Sequence, residues 1–370
     1  MKPRQPLTIL ETTLRDGSYA INFQFTANDT EVIAGALEKA GFEFIEIGHG
    51  VGLNATNCGA GIAAQTDQEY LEAAARTLKN AKFGMFCIPG IARLEDVDMA
   101  AEYGMGFIRI GTDVTRMEES ETFIIRAKKH GMFVSSNFMK SYVMEPKKFA
   151  EKARLSRQFG SDLLCVVDSA GGMFPSELES YFTAVRDACD IPLGFHGHAN
   201  MGLAIANTLR AIELGASFVD TSLQGLGRSS GNAATELVIA ALARKKIDLG
   251  IDLLRVLDIS EKYIKPLITK SGIDSIDVIA GYCLFHSSFM GMIEKYSNKY
   301  KIDPRKLIMG VTRESKVNAS KETVERIARE ISKITEKVFT AKFKLDKCYI
   351  VDEQSLEEKI TRLQDAIWTR

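Results

Sequence analysis

Two histidines that flank a single glycine are the first residues in the sequence whose types and spacing suggest chemistry. His196 and His198 follow the apolar segment 191–195. In a β-strand, side chains two positions apart point to the same side, so the two imidazoles could hold one metal ion. A chance pairing of unrelated histidines is the alternative, and the presence of only 5 histidines in the chain favours the metal site modestly.

A guanidinium and a carboxylate lie side by side after the first predicted strand, in the segment TTLRDG at residues 12–17. Asp16 could supply an oxygen to the same metal, and Arg15 could place a fixed cation beside a developing enolate oxygen. A structural ion pair beside a turn is the alternative interpretation. Two imidazoles with a carboxylate form a mixed nitrogen and oxygen site, which suits Mn²⁺, Mg²⁺, Zn²⁺ or Co²⁺.

The third candidate is a glycine-rich loop, GLGRSSGN, at residues 225–232. Such loops bind phosphate or approach a ligand closely through their backbone. Asn232 at the end of this loop could serve as a further oxygen ligand, or it could cap the helix-forming stretch that follows, which is the commoner use of such an asparagine.

These candidates are embedded in an alternation of short apolar runs and longer amphipathic stretches, many of which end near a glycine, a residue that can stop a helix. Parallel strands need crossover helices, and eight strand–helix units can close into a (β/α)8 barrel, with a doubly wound open sheet as the alternative. In a barrel all three motifs would fall at the carboxyl ends of strands, where active sites of this fold lie. The predicted strands are residues 7–10, 42–47, 83–88, 107–110, 133–137, 163–167, 193–195 and 218–221.

The alternation stops after about Lys246, and the remaining sequence has helical periodicity with no regular strands. We therefore predict a barrel domain over residues 1–246 and a helical C-terminal domain over residues 247–370. The predicted C-terminal helices are residues 253–263, 286–299, 304–309 and 322–333, with a further amphipathic helix over 356–368.

Composition excludes several functional classes. The formal net charge is −1, so there is no electrostatic reason to expect nucleic acid or an anionic membrane as a partner. No stretch reaches the roughly 20 apolar residues that span a bilayer. Neither a signal peptide nor a C-x-x-C pair is apparent, so we expect a cytoplasmic protein with reduced thiols.

Taken together, the motifs resemble those of the DRE-TIM metallolyases, a superfamily of metal-dependent carbon–carbon lyases, and most closely its 4-hydroxy-2-oxovalerate aldolase branch. The resemblance extends from about Leu7 to Ser288. It rests on TLRDG at 13–17, GHG at 48–50, VDSAG at 167–171, GFHGHANMGL at 194–203 and SLQGLG at 222–227, followed by GN at 231–232 and TE at 235–236.

The resemblance implies a (β/α)8 barrel with a helical C-terminal region and a divalent metal held by Asp16, His196 and His198. We expect Mn²⁺, with Mg²⁺, Co²⁺ and Zn²⁺ as alternatives. It also implies that a 4-hydroxy-2-oxo acid is cleaved to pyruvate and an aldehyde, or formed from them. In the superfamily the 2-oxo acid binds the metal through its carboxylate and carbonyl oxygens, and the arginine that matches Arg15 stabilises the pyruvate enolate.

Further site residues and partners follow from the same resemblance. His49, Ser169 and Asn232 are expected to bind substrate together with Arg15. In the aldolase branch the C-terminal region contacts an acylating aldehyde dehydrogenase that receives the aldehyde, and a homodimer is an equally good use of that surface here.

Two positions depart from the aldolase pattern. The aldolases carry a histidine, thought to be the base, where this chain has Tyr19, and a tyrosine before Ser-Ser-Phe, where this chain has His286. We interpret this as an exchange of positions, with His286 as the base, since imidazole titrates at about 6.5 and phenol at about 10. Tyr19 would then orient the substrate hydroxyl or relay its proton, unless this branch has lost the aldolase step or acts on a different substrate.

Two other functions remain as alternatives to the aldolase. One is a Claisen-type synthase of the same superfamily that joins an acyl-CoA to a 2-oxo acid. The CoA lyases carry a cysteine in the loop at 225–232, and this chain has Arg228-Ser229-Ser230 there. The other alternative is a barrel that serves as a non-enzymatic scaffold. A scaffold would not need metal ligands, so the presence of Asp16, His196 and His198 argues against it.

Overall fold

Eight parallel strands form a closed barrel in the computed structural model of the protein, which describes residues 7–268, 274–317 and 319–334 and two short strands beyond them. Each strand pairs with its neighbours in sequence, and β8 closes the ring by pairing with β1. The predicted (β/α)8 barrel is therefore confirmed, and the alternative of a doubly wound open sheet is wrong. The strands are β1 Thr8–Glu11, β2 Phe44–Glu46, β3 Lys82–Cys87, β4 Phe107–Asp113, β5 Phe133–Met139, β6 Leu163–Asp168, β7 Leu193–Gly197 and β8 Phe218–Thr221.

Helices on the outside of the barrel connect successive strands. The first helix shows why they begin and end where they do: the Thr26 side chain accepts a hydrogen bond from Asp29 N, and Gly41 ends the helix with a φ of 105°. The connecting helices are α1 Ala27–Ala40, α2 Asp67–Thr77, α3 Leu94–Glu102, α4 Glu121–Lys129, α5 Pro146–Phe159, α6 Pro175–Ala188 and α7 Ala204–Glu213, and α8 Thr235–Arg244 follows β8.

Aromatic side chains fill the amino-terminal end of the barrel. Four phenylalanines stand at the first positions of β2, β4, β5 and β8, and the rings of Phe44 and Phe107 lie 5.3 Å apart between centroids. Phe133 and Phe218 stack at 5.3 Å, and Phe218 also contacts Phe44 at 5.1 Å. This end is closed by packed rings, which leaves the carboxyl ends of the strands as the place for polar chemistry.

The chain divides into two compact units, residues 1–273 and residues 274–370. Residues 247–268 belong to the first unit, so the division lies later than the predicted boundary at 246. One reason is visible in the backbone: Asp252 N donates to Ala40 O at 2.8 Å, which ties the segment before α9 (Leu253–Ile259) to the end of α1.

The second unit is helical, as predicted, and has its own apolar core, which includes Ile293, Leu307 and Val324. Its first helix was not predicted. Its helices are α10 Ser275–Cys283, α11 Met290–Tyr300, α12 Pro304–Glu314 and α13 Lys321–Ile334, and the two short strands are Lys342–Phe343 and Tyr349–Ile350. The predicted helix over 356–368 lies outside the described residues.

No single helix in the described ranges is long and apolar enough to cross a bilayer. Ser275–Cys283 and Ser287–Tyr300 meet the criteria of length and composition only as a pair, and the two are bent by 120°.

Candidate metal centre

Asp16, His196 and His198 converge at the carboxyl end of the barrel. His196 lies in β7, His198 follows that strand, and Asp16 begins a short helix directly after β1. All three side chains are buried, and one potential ligand atom from each lies within 4.8 Å of the others. The i, i+2 spacing places both imidazoles on one side of the strand, with ring centroids 5.0 Å apart.

Each imidazole is oriented by a hydrogen bond at its Nδ1 atom. The His196 Nδ1 atom lies 2.9 Å from Asp220 Oδ2, and the His198 Nδ1 atom lies 3.3 Å from Gly231 O. Contacts of this kind fix the ring and its tautomer in histidines that bind metals. They leave the Nε2 atom of each ring as the nitrogen that can face a cation.

Asp16 is held in the ionised state that binds cations. Its Oδ1 atom accepts a hydrogen bond from Arg15 Nη1 at 2.7 Å, and its Oδ2 atom accepts from Asn232 Nδ2 at 2.6 Å. Burial alone would raise the pKa of Asp16, but the neighbouring positive charges, with the Arg15 guanidinium contributing most, outweigh burial and hold that pKa well below its usual range. Burial lowers the pKa of His198 to about 3, so its ring is neutral near neutral pH.

Two further observations fit a cation at this position. The Oδ1 atom of Asn232 is buried and accepts no hydrogen bond from the described part of the chain. At Gly227, an added Cβ would lie 2.9 Å from Asp16 Oδ2, so only glycine lets the loop backbone approach so closely. Asn232 does not cap the following helix: the cap residue is Ala234, with no side-chain hydrogen bond. Imidazole, carboxylate and amide donors together suit a divalent metal.

Arg15 is a fixed cation beside this cluster. Its Nε atom donates to Glu46 Oε2 at 2.7 Å, and its guanidinium carbon lies 4.8 Å from the centre of the Phe86 ring. Because carboxylates hold the guanidinium on two sides, it cannot swing away from Asp16. A substrate oxygen that becomes negative beside the cluster would be stabilised by this preorganised charge.

A chain of buried charges that sequence reasoning missed links Arg15 to His196. Glu46 Oε2 accepts from both Arg15 Nε and Arg109 Nη1, each at 2.7 Å. Arg109 also pairs with Asp220, whose carboxylate contacts His196. The sequence feature that could have indicated this network is a charged residue inside an apolar strand, as in FIRI at 107–110 and FVDT at 218–221.

Tyr19 lies close to the cluster, in the short helix that Asp16 begins. Its ring contacts Phe23 edge-on at 5.1 Å between centroids, and the guanidinium carbon of Arg228 lies 5.8 Å from the ring centre. Burial raises the pKa of the Tyr19 phenol above its usual value, and Arg228 opposes that rise. Tyr19 is therefore protonated near neutral pH and can donate a hydrogen bond.

His49 lies after β2, and its ring stacks on Phe23 at 3.9 Å between centroids. Its Nδ1 atom accepts from Val51 N at 3.0 Å, and its Nε2 atom lies 3.2 Å from Gly61 O. Both ring nitrogens are thus engaged by loop backbone, so the imidazole organises that loop. The role of His49 in substrate binding stays a prediction.

The last two predicted site residues, Ser169 and His286, each have a hydrogen bond within their own unit. Ser169 follows β6, and its Oγ atom accepts a hydrogen bond from Lys140 N at 2.9 Å. His286 belongs to the second unit, where its Nδ1 atom accepts from Ser288 N at 3.2 Å. The exchange of roles between Tyr19 and His286 stays a prediction.

Fold and site together define a class: a (β/α)8-barrel protein with a candidate Asp–His–His centre for a divalent cation at the carboxyl end of its strands. The HMGL-like family model matches residues 6–262 of the chain. The chain therefore belongs to the HMGL-like family, and the resemblance to the DRE-TIM superfamily is confirmed.

Several curated relatives align with most of the chain. It is 37% identical over 328 residues to the 4-hydroxy-2-oxovalerate aldolase of Carboxydothermus hydrogenoformans, an alignment that covers 88% of this chain and 98% of that protein. It is 38% identical to the enzyme of the same name from Pelotomaculum thermopropionicum, with 88% and 96% covered.

Among solved structures, the fold is similar to that of the carboxyl transferase domain of Rhizobium etli pyruvate carboxylase. The TM-score is 0.74 at 17% sequence identity, with 90% of this chain and 61% of that chain covered. At this identity the likeness concerns the fold alone.

Proposed function

We propose that the protein is a divalent-metal-dependent aldolase that cleaves or forms the carbon–carbon bond of a 4-hydroxy-2-oxo acid, with pyruvate and an aldehyde as the other side of the reaction. The observation that carries the proposal is the buried cluster of Asp16, His196 and His198 with Arg15 fixed beside it. The relatives named 4-hydroxy-2-oxovalerate aldolase support the choice of reaction.

The charges of the site residues suggest the role of each residue in the proposed reaction. Asp16, His196 and His198 would hold a divalent cation, Mn²⁺ in this proposal, which would supply a Lewis acid for the oxygens of the 2-oxo acid. Arg15 stabilises the negative charge that develops on the substrate carbonyl oxygen when the bond breaks. Asn232 and Gly227 shape the wall against which the substrate lies, and Ser169 and His49 belong to the same proposed binding surface.

In the cleavage direction, a base takes the proton of the C4 hydroxyl and the bond between C3 and C4 breaks. The electron pair passes into the pyruvate enolate, the aldehyde leaves, and a proton returns to C3. We assign the base to His286 of the second unit and the orientation of the hydroxyl to Tyr19. Support for this comes from the raised pKa of Tyr19, which keeps the phenol protonated, so that it can donate a hydrogen bond but cannot serve as the base.

The test is cleavage of 4-hydroxy-2-oxopentanoate by the full chain, with pyruvate and acetaldehyde quantified separately. We expect equal amounts of both products, loss of turnover after chelation, and recovery with Mn²⁺. Asp16→Asn should lose turnover, whereas Asp98→Asn, at a partly exposed aspartate, serves as the control. Release of CoA from an acyl-CoA with a 2-oxo acid would favour the synthase, and a protein that binds no metal would favour the scaffold.

The remaining parts of the proposal concern the cell. We propose a cytoplasmic location and an acylating aldehyde dehydrogenase, or a second copy of this chain, as the partner of the C-terminal unit. Co-purification from the native source tests for both of these partners. Recovery of the protein alone, as a monomer, would remove both partners from the proposal.

A further inference from the structure

Phe23 lies between Tyr19 and His49 at the carboxyl end of the barrel, and the proposed reaction gives it no role. Its ring meets the Tyr19 ring edge-on at 5.1 Å between centroids. It also stacks on the His49 imidazole at 3.9 Å, with an angle of 21° between the two planes. The three rings come from the segments that follow β1 and β2. Phe23 therefore connects the proposed orienting tyrosine to the neighbouring loop.

The backbone at Phe23 has a conformation that bulky residues rarely adopt. Asn22 and Phe23 have φ values of 55° and 63°, in the left-handed region. Phe23 N donates to Ser18 O at 2.7 Å, and the Phe23 carbonyl oxygen accepts from Ala64 N at 3.1 Å. These two bonds hold the residue in place. Backbone strain of this kind persists only where the surrounding structure maintains it, and it is concentrated at functional sites.

The imidazole on which Phe23 stacks is held at both of its nitrogens. Val51 N donates to His49 Nδ1 at 3.0 Å, so the proton of the neutral ring is on Nε2, which lies 3.2 Å from Gly61 O. Burial lowers the pKa of His49, which favours this neutral form. Because the imidazole cannot turn without losing these bonds, it gives Phe23 a rigid surface to pack against.

Two glycines make this packing possible. A Cβ at Gly50 would lie 2.7 Å from the Tyr19 ring and 3.0 Å from the Phe23 ring. A Cβ at Gly61 would overlap the Phe23 ring. Gly50 O also accepts from Arg15 Nη1 at 3.4 Å. The Tyr19 ring is therefore confined between Phe23 and the loop after β2, and the same loop contacts the arginine of the site.

We propose that Phe23 is a positioning residue for Tyr19: by holding the phenol ring against the loop after β2, it directs the Tyr19 hydroxyl toward the C4 hydroxyl of the substrate. This inference rests on the proposed aldolase function and on the orienting role given there to Tyr19. Edge-on ring pairs have a preferred geometry. An aliphatic side chain in place of Phe23 fills part of the space but does not fix the direction of the phenol.

The test is a double-mutant cycle on the cleavage of 4-hydroxy-2-oxopentanoate by the Mn²⁺-loaded full chain. Phe23→Leu should lower kcat about 2- to 10-fold, the range for a lost edge-on ring pair, with KM nearly unchanged. Phe23→Tyr, which keeps the ring, should retain most of kcat. In Tyr19→Phe, which has no hydroxyl to direct, Phe23→Leu should change kcat less than about twofold. An equal loss in both backgrounds would show a general structural role and overturn the inference.

Two further variants complete the design. Phe159→Leu is the matched control, because Phe159 is also a partly buried phenylalanine but lies at the end of α5, on the outside of the barrel. It should keep the wild-type kcat. Phe23→Met, with a flexible apolar side chain, is a second way to remove the ring if Phe23→Leu does not fold. We expect the same loss of kcat in Phe23→Met as in Phe23→Leu.

A measurement without substrate separates this inference from the aldolase proposal. In the full chain with ¹³Cζ-labelled tyrosine, the nuclear magnetic resonance signal that is lost in Tyr19→Phe identifies Tyr19 among the 10 tyrosines. Phe23→Leu should shift or broaden that signal, and Phe159→Leu should leave it in place. If the wild type cleaves no substrate but this shift is present, the aldolase proposal fails and the holding of Tyr19 by Phe23 stands. If the substrate is cleaved but Phe23→Leu leaves the Tyr19 signal unchanged, the inference is overturned while the aldolase stands.

Discussion

Replacing Asp220 by asparagine tests whether the buried charge network serves the metal centre. The Oδ2 atom of Asp220 contacts both His196 Nδ1 and Arg109, and the carboxylate is 4% exposed. Arg109 outweighs burial and lowers the pKa of Asp220, so the carboxylate is ionised. Asparagine keeps the shape and one accepting oxygen but removes the charge. We therefore expect His196 to remain in place as a weaker ligand.

The magnitude follows from these two contacts. Losing the partner that orients a metal-binding histidine weakens metal affinity by about 10- to 100-fold, or about 1.4 to 2.7 kcal/mol. Leaving Arg109 with one carboxylate fewer in a buried site lowers the free energy of unfolding by about 3 kcal/mol or more. Both effects should appear in the same variant, because one oxygen serves both contacts.

The assay is calorimetric titration of Mn²⁺ into the metal-free protein, together with urea unfolding. Asp98→Asn is a matched control, since Asp98 also contacts one histidine and one arginine, His130 at 2.6 Å and Arg126 at 2.7 Å, but at the surface. It should keep its metal affinity and lose less than about 1 kcal/mol of stability. If Asp220→Asn loses stability yet binds Mn²⁺ as the wild type does, the network is a structural ion pair that does not support the metal centre.

Three further predictions concern other parts of the site. His286→Ala should lower turnover by about 100-fold or more and Tyr19→Phe by less, as expected of a base and an orienting group; full turnover in His286→Ala would show the base assignment to be wrong. Gly227→Ala should weaken Mn²⁺ binding in calorimetry, because its Cβ would lie 2.9 Å from Asp16 Oδ2, and unchanged affinity would contradict the close approach. Burial raises the pKa of Glu11 from 4.5 to about 7, so its contribution to stability is fully present below 4.5 and is lost as the pH rises through about 7. Between about pH 5 and pH 8 the wild type should lose about 3 kcal/mol in urea unfolding relative to Glu11→Gln, and parallel pH profiles would count against this assignment.

The barrel could be predicted from the sequence because its signals are local. Each strand is a short apolar run. Glycines in the left-handed conformation, such as Gly41 and Gly160, end the helix that comes before the next strand. α10 was missed because its sequence SIDVIAGYC is apolar on nearly every side, so it shows little helical contrast. Its start is marked only by Asp274, whose side chain accepts from Ile276 N.

The candidate site could be predicted in part for the same reason. The histidines are two positions apart in a strand and Arg15 adjoins Asp16, so each of these two pairs follows from local geometry, whereas the meeting of the two pairs was implied by the family resemblance. The supporting network could not be found in this way, because Arg109 meets Glu46 across 63 positions and Asp220 across 111. Pairings of that kind depend on the register and closure of the barrel, which no local pattern encodes.

The proposed function requires that Asp16, His196 and His198 bind one divalent cation. The most direct measurement is pulsed electron paramagnetic resonance of the Mn²⁺-loaded protein with ¹⁵N-labelled histidine. We expect modulation from two imidazole nitrogens, reduced to one in His198→Ala. A bound Mn²⁺ that shows no coupling to histidine nitrogen, or a spectrum that His198→Ala leaves unchanged, would contradict it.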